Sequence, residues 1–284
     1  MDPACGPLSG FSLLACSGPE AGAFLQAQTM NDLRGLVDGQ WQLNGWLSAK
    51  GRVICLFALW RRSEQDYLAI LPDFPAAELL PLLQRFVFRS KLRLSVEDGL
   101  EVLGEFAPPG DGPARDFAQA QGADWRFDFS GDGSARALRL RPREAAAVAQ
   151  PEFEARWRSA DLVHGLPRLD AGQREAWTPQ MLSLQRLKAF SLAKGCYPGQ
   201  EIVARTHYLG QAKRELALLQ GRLPPSGATV TDPDGRSLGT VVSTSTDGGL
   251  ALAVLAADRG PGPFRTADAE VREAAIEAGL QRPA

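Results

Sequence analysis

Lys194-Gly195-Cys196-Tyr197-Pro198-Gly199-Gln200-Glu201 is the stretch on which the reading of this 284-residue chain turns. Two glycines and a proline in eight residues impose a bent backbone with little side-chain cover. Gly195 leaves Cys196 approachable, and an ammonium on Lys194 lying close to the thiol favours its thiolate. A free cysteine is as a rule a small buried hydrophobe. The glycine-flanked, polar setting instead marks Cys196 as a candidate reactive thiol, with Lys194 beside it. Ile202-Val203-Ala204 predicts a strand returning to the core, which places the thiol on a turn just before it.

The octapeptide, followed by Arg205-Thr206-His207, resembles the K-G-C-Y-x-G-Q-E signature of the YgfZ-type folate-binding proteins. These are relatives of the glycine-cleavage T-protein, an aminomethyltransferase (GcvT), and include the mitochondrial factor that supports iron–sulfur cluster assembly. The resemblance implies an α+β fold: a GcvT-like folate-binding part of mixed sheets and helices, plus a small antiparallel C-terminal β-barrel. It divides the chain into an α+β part at 1–107, a second α+β part with the motif at 108–210, and the barrel at 211–284. It also makes Gly195, Tyr197, Gly199, Gln200, Glu201 and Arg205 part of the site around Cys196 and Lys194.

Composition sets the outer bounds. Hydrophobic residues at 44% and charged residues at 23% describe an ordinary globular protein, long enough for two or three subdomains. With 31 basic against 33 acidic residues the net charge is −2, which argues against a dominant, sequence-independent hold on nucleic acid and leaves room for a local basic patch. Met1-Asp2-Pro3 lacks a signal pattern, and the longest apolar run, Val53 to Trp60, is too short to cross a bilayer, so a soluble, cytoplasmic protein is expected. Cys5, Cys16, Cys55 and Cys196 form no C-x-x-C pair, and only His164 and His207 could add imidazole, so no self-contained metal site is expected.

Taken in order, Phe11 to Cys16 reads as a strand, followed by a helix capped at Ser17 or Gly18 and running to Asn31 or Leu33. Phe24 to Asp32 again resembles the family. Trp41 to Trp46 and Arg52 to Trp60 read as a hairpin joined by Ser48-Ala49-Lys50-Gly51. The T-protein carries a catalytic aspartate on the second of these strands. Val53-Ile54-Cys55-Leu56 has no carboxylate, which implies a folate pocket without the aminomethyl-transfer acid/base group. Tyr67 to Leu71 is a strand and Phe74 to Phe86 a helix, with Pro81 at its start or at a kink. Val87 to Leu94 reads as an alternating strand with Arg89, Lys91 and Arg93 on one face and Phe88, Leu92 and Leu94 on the other. Arg89-Ser90-Lys91 matches an R-S-K of the family. Read plainly it is a solvated strand face; read as a site it is a cationic wall for a polyglutamyl tail or RNA phosphate.

Pro108 to Ala123 is a loop or seam, followed by strands near Trp125 to Phe129 and Ala135 to Leu140 and helices at Arg143 to Ala149 and Phe153 to Leu162. Trp157 to Asp170 resembles the family segment in which a tryptophan precedes a G-x-P turn and packs against the folate. That assigns Trp157 to cofactor binding, with Gly165 and Pro167 shaping the turn, and an indole offers a large stacking face to a flat pterin. Relatives often carry Glu two residues before the glycine; Val163 stands there, and Asp161 or Asp170 is the alternative acceptor. Beyond Arg214, short alternating segments separated by Pro-Ser-Gly, Asp-Pro-Asp-Gly and Asp-Gly-Gly turns predict the antiparallel barrel, a helical tail over Ala267 to Leu280 being the weaker option.

No phosphate-cradling or hydrolase motif is present. The function the resemblance implies is binding of tetrahydrofolate, or a one-carbon derivative, in support of iron–sulfur cluster synthesis or repair in client enzymes. Those clients include enzymes that modify tRNA, with Cys196 facing the folate pocket or its mouth. The expected partners are iron–sulfur enzymes or assembly proteins, with tRNA indirectly and neither membrane nor DNA. Two alternatives stand beside it: a folate-dependent one-carbon transferase, and a thiol-based assembly scaffold using Cys196.

Overall fold

The apolar run at Val53 to Trp60 faces two cores at once. In the computed structural model, which describes residues 4–107, 115–143, 148–208, 213–267 and 269–282, it lies in a five-stranded antiparallel sheet. The order is β3 (Trp41–Leu47), β4 (Val53–Ser63), β5 (Asp66–Leu71), β2 (Ser12–Ser17) and β6 (Arg93–Val96). Successive side chains of a strand point to opposite faces. Leu56, Ala58 and Trp60, with Leu68 and Ile70, therefore enter a central core, while Cys55, Phe57 and Leu59, with Tyr67, Ala69 and Leu71, enter a second one. The second core is covered by α1 (Ala21–Gln28) and α2 (Ala76–Gln84), through Phe24, Leu25, Leu79 and Leu83.

A second sheet closes the central core from the other side, in the order β1 (Cys5–Pro7), β7 (Leu100–Glu105), β10 (Ala137–Pro142), β9 (Asp124–Asp128) and β8 (Gln119–Gln121). Aromatic rings knit the two sheets: Trp41 stacks on Phe129 at 4.7 Å, and Trp60 meets Trp125 at 4.7 Å and Phe127 at 5.2 Å. Helix α3 (Pro151–Val163) buries Phe153, Trp157 and Leu162 in the same core. It ends in a glycine cap, with Leu166 N–H donating to Asp161 O, Gly165 N–H donating to Leu162 O, and Gly165 at φ +68°.

The C-terminal segment closes into the expected barrel, in the order β11 (Arg214–Gly221), β14 (Leu250–Ala256), β13 (Ser237–Thr244), β12 (Thr229–Thr231), β15 (Phe264–Thr266) and β16 (Ala269–Ala274). Alternation again divides its side chains. Ala217, Leu219, Ala253 and Leu255 fill the barrel, while Leu216, Leu218, Leu252 and Val254 pack on the central core. The chain after β16 runs back across the molecule, placing Leu280 in the central core and Arg282 over the Trp41 ring at 5.1 Å.

Several expectations need correction. Ile202-Val203-Ala204 is not a strand but the middle of α4 (Gln200–Tyr208), where only Val203 is buried. A β-branched run of two residues is too short to set a period, and the one-sided burial is helical. Val87 to Leu94 is strand only from Arg93, because Arg89 takes the left-handed conformation (φ +57°) and breaks the alternation. Helix α1 starts at Ala21, after the Gly18-Pro19-Glu20 turn, and ends at Gln28; Pro81 lies inside α2. Over Ala267 to Leu280 the favoured strand reading holds, as β16, and the weaker helical option does not. Of the helix expected at Arg143 to Ala149, residues 144–147 lie outside the described residues and the remainder is not helical.

Candidate functional site

Three stretches far apart in sequence meet at the octapeptide. Gly199, at φ +77°, sits so close to the β3–β4 turn that an added Cβ would lie 2.5 Å from Gly51 Cα and 2.6 Å from Ser48 O. Gly51, itself at φ +67°, faces Gly199 O and Ile202 in return. Only two glycines allow this approach in these conformations. The third stretch is the end of α1. Lys194 is buried, and its ammonium donates to Thr29 O at 2.5 Å and Asn31 O at 2.9 Å, 5.0 Å above the Tyr197 ring. Burial lowers the Lys194 pKa to about 8.

Buried amides extend this network inward. Asn44 Oδ1 accepts from Asn31 N–H at 2.9 Å, Asn44 Nδ2 donates to Thr29 Oγ1 at 3.1 Å, and Asn31 Nδ2 donates to Leu43 O and Lys188 O. Asn44 in turn forms part of the wall of an inner cavity in the central core, together with Phe11, Leu56, Trp157, Asp161 and Leu184. Its volume is about 20 Å³, room for roughly one water. Asp161 on its wall is held between Arg136 Nη1 at 2.6 Å and Arg168 Nη1 at 3.0 Å, and Arg168 also binds Asp73 at 2.8 and 2.9 Å.

Phe11, Pro72 and Trp157 are shared with an outer cleft of about 590 Å³. Its walls come from the turn after β1, the loop after β5, α3, the segment at Arg168–Arg174 and the β13–β14 turn. Arg168 and Arg174 are committed there, to Asp73 and Asp161 and to Glu78. Arg158 is not: its Nε donates to Thr244 O at 2.9 Å, and its two terminal nitrogens have no partner among the described residues. Burial and the neighbouring Arg168 lower its pKa, against the opposing pull of Asp73, Asp161 and Asp170, so an anion in the cleft would favour its charged form.

The residues expected to share one site are therefore distributed over two places and a loop. Cys196 is exposed, Gly195 has open space where a Cβ would stand, and neither lines the cavity or the cleft. The Lys194 ammonium turns inward to carbonyls rather than to the thiol. Burial pushes the thiols of Cys16 and Cys55 up to about 12, which leaves them unreactive. Tyr197 belongs to the core, with its hydroxyl pushed up to about 12 by burial; Gln200 Nε2 donates to Lys194 O at 3.1 Å. Glu201 and Arg205 are exposed on α4. Trp157 lines both cavity and cleft but is only 1% exposed, with the Arg136 guanidinium 4.7 Å from its ring and Gly104 against it, so no broad indole face is open for stacking. Gly165 makes the α3 cap beside Pro167. Arg89 and Lys91 line neither space and lie on an exposed loop. Arg158 and Asn44 carry no local signal: each is one polar residue in an element whose partners are distant. Among the described residues no three His, Cys, Asp or Glu side chains gather as a metal site, and no helix is long and apolar enough to cross a membrane.

No protein-family model matches the chain. A tRNA-modifying protein YgfZ from Edwardsiella ictaluri is 30% identical over 270 residues, covering 85% of this chain and 81% of the relative. The chain belongs to the YgfZ family. A YgfZ protein of Aliivibrio fischeri (strain ATCC 700601 / ES114) is likewise 30% identical, over 88% of this chain and 84% of its own. The glycine cleavage system aminomethyltransferase T from Bartonella henselae matches with a TM-score of 0.67 over 96% of this chain and 85% of that one, at 16% identity, which makes the YgfZ-family chain GcvT-like in fold. On β4 of this family member, Val53-Ile54-Cys55-Leu56 supplies no carboxylate to the central core.

Proposed function

We propose that this YgfZ-family protein binds a reduced folate, tetrahydrofolate or a one-carbon derivative, in the outer cleft. In doing so it serves the synthesis or repair of iron–sulfur clusters in enzymes that modify tRNA. The observation that carries the folate reading is a cleft of ligand size holding a guanidinium, Arg158, whose terminal nitrogens have no partner among the described residues. Folate is a flat heterocycle ending in carboxylates. Phe11 and Pro72 supply apolar surface at the neck, Asp170 and Thr246 polar groups, and Arg158 a partner for one carboxylate. The inner cavity, at about 20 Å³, does not fit a pterin as it stands. A binding role rather than aminomethyl transfer is supported by Asp161, the cavity-wall carboxylate, being locked between two arginines and unable to serve as a free base. The link to tRNA modification is supported by the names of the relatives and the iron–sulfur role by the octapeptide's resemblance.

Titration with tetrahydrofolate, read by tryptophan fluorescence or calorimetry, tests this. Loss of a charge-assisted hydrogen bond is worth about 1.5–3 kcal/mol, so Arg158→Ala should weaken binding roughly ten- to a hundredfold without unfolding the protein. Wild-type protein without saturable binding, or an Arg158→Ala variant with unchanged affinity, refutes the assignment. The exposure of Cys196 beside an open Gly195 favours a second, compatible role as the thiol that meets a partner. Cys196→Ser should then keep folate affinity and fail to restore client-enzyme activity in cells lacking the protein; full restoration removes that role.

A further inference from the structure

The loop between α2 and β6 lines neither the cleft nor the inner cavity, and it gathers exposed rings and cations in one short stretch. Arg85, Phe86, Phe88, Arg89, Lys91 and Arg93 are all exposed, Phe88 at 76% and Phe86 at 48%. No acidic residue occurs between Gln84 and Ser95. None of the four cationic side chains has an ion-pair or hydrogen-bond partner among the described residues. Arg61 and Arg62, at the end of β4 in the same sheet, are by contrast paired with Asp38 and Asp66.

The loop is also built rather than loose. Val87 and Leu92 pack on the second core, Phe88 N–H donates to Phe86 O at 3.1 Å, and Leu92 N–H to Ser90 O at 2.9 Å. The Glu20 carboxylate accepts from the backbone N–H of Lys91. Left-handed Arg89 turns the chain so that Phe88 points outward, with the Arg89 guanidinium 5.0 Å from its ring. A left-handed conformation at a non-glycine residue costs about 1–2 kcal/mol and persists only where surrounding contacts impose it. Phe86 stands edge-on to Trp46 at 6.1 Å; Trp46 bridges Thr29, whose carbonyl holds Lys194. The loop is thus joined by three contacts to the octapeptide.

From this geometry we infer that the Arg85–Arg93 loop is a binding surface for single-stranded RNA. Unpaired cations interleaved with exposed rings are what a single strand requires: phosphates meet the guanidinium and ammonium groups, while unstacked bases lie on aromatic and guanidinium planes. A protein partner would also accept the rings, but four uncompensated charges with no acidic neighbour in the loop favour a polyanion. The overall charge of −2 argues against a general electrostatic hold on nucleic acid and for a local one. The inference adds an RNA contact to the tRNA-linked reading and does not need the folate, so the two titrations can fail separately.

The test is fluorescence anisotropy of a labelled 12-nucleotide uridine-rich RNA with the full chain, across 20 to 200 mM salt. Saturable binding is expected, with log affinity falling against log salt at a slope of about −3 for four phosphate contacts on a single strand. Phe88→Ala should weaken it at least fivefold. Arg89→Ala with Lys91→Ala should reduce the slope by about 1.4. Both variants should keep the thermal midpoint and tetrahydrofolate affinity of the parent, which excludes misfolding. Absence of saturable RNA binding at 20 mM salt overturns the inference. So does unchanged affinity and slope in the variants, including the case where they lose a purified protein partner instead, which would make the loop a protein-docking surface.

Discussion

The arginines that grip Asp161 at the end of α3 and those of the loop before β6 are the same residue type put to opposite use. Arg136 and Arg168 are buried, grip Asp161 from two sides, and have Asp73, Phe129 O and Pro72 O as further partners. The loop cations Arg85, Arg89, Lys91 and Arg93 face water with no ion-pair or hydrogen-bond partner among the described residues. A buried charge survives only if it is matched inside the fold. An unmatched cation on a rigid, exposed loop has its binding capacity left for something outside. Arg158 lies between these cases: half-buried, one nitrogen satisfied, and the rest turned to a cleft.

The difference can be broken first where the effect is greatest. Asp161→Ala leaves two buried guanidinium groups facing each other without their shared carboxylate. Unfolding in urea should show a loss of about 3–5 kcal/mol; a loss under about 1 kcal/mol would mean the pair is no more structural than a surface contact. Lys194→Met is intermediate, since it removes the bonds to Thr29 O and Asn31 O, and about 1–3 kcal/mol is expected.

That variant also has a pH signature. The folded-state pKa of Lys194, about 8, lies below its ordinary 10.5. Between those values the unfolded chain binds more protons than the folded one, so wild-type stability gains from Lys194 as pH rises. The stability gap between wild type and Lys194→Met should accordingly widen from pH 8 to pH 10; a gap that narrows would place the ammonium in a stabilising ion pair instead. Smallest of all, Arg89→Ala with Lys91→Ala should change stability by less than about 0.5 kcal/mol, as measured in the same urea titrations. A larger loss would show that these cations hold the fold together, and that the loop resembles the α3 arginines after all.

The elements legible in the sequence were those whose signal is local. Ser48-Ala49-Lys50-Gly51 marks its hairpin because Gly51 must take φ +67° there, and the barrel strands show through the turns that separate them. Strands β1 and β8, three residues each, were not legible, since so short a segment carries no alternation and forms only because β7 and β9 are there to pair with. At the octapeptide, Gly199 and Cys196 stood out, whereas the direction of Lys194 did not. The carbonyls it binds lie more than 160 residues away, at the end of α1.

The α+β class, the barrel and the YgfZ family are written in the sequence, because periodicity, turn chemistry and a long unusual motif are properties of neighbouring residues. Tertiary structure alone decided which charges are free. It committed Asp161, Arg136 and Arg168 to one another, turned Lys194 inward and Cys196 outward, and left Arg158 and the cations of the Arg85–Arg93 loop without a carboxylate partner among the described residues. A side chain's partners are set by what the fold brings within 3 Å of it, and no local pattern records that.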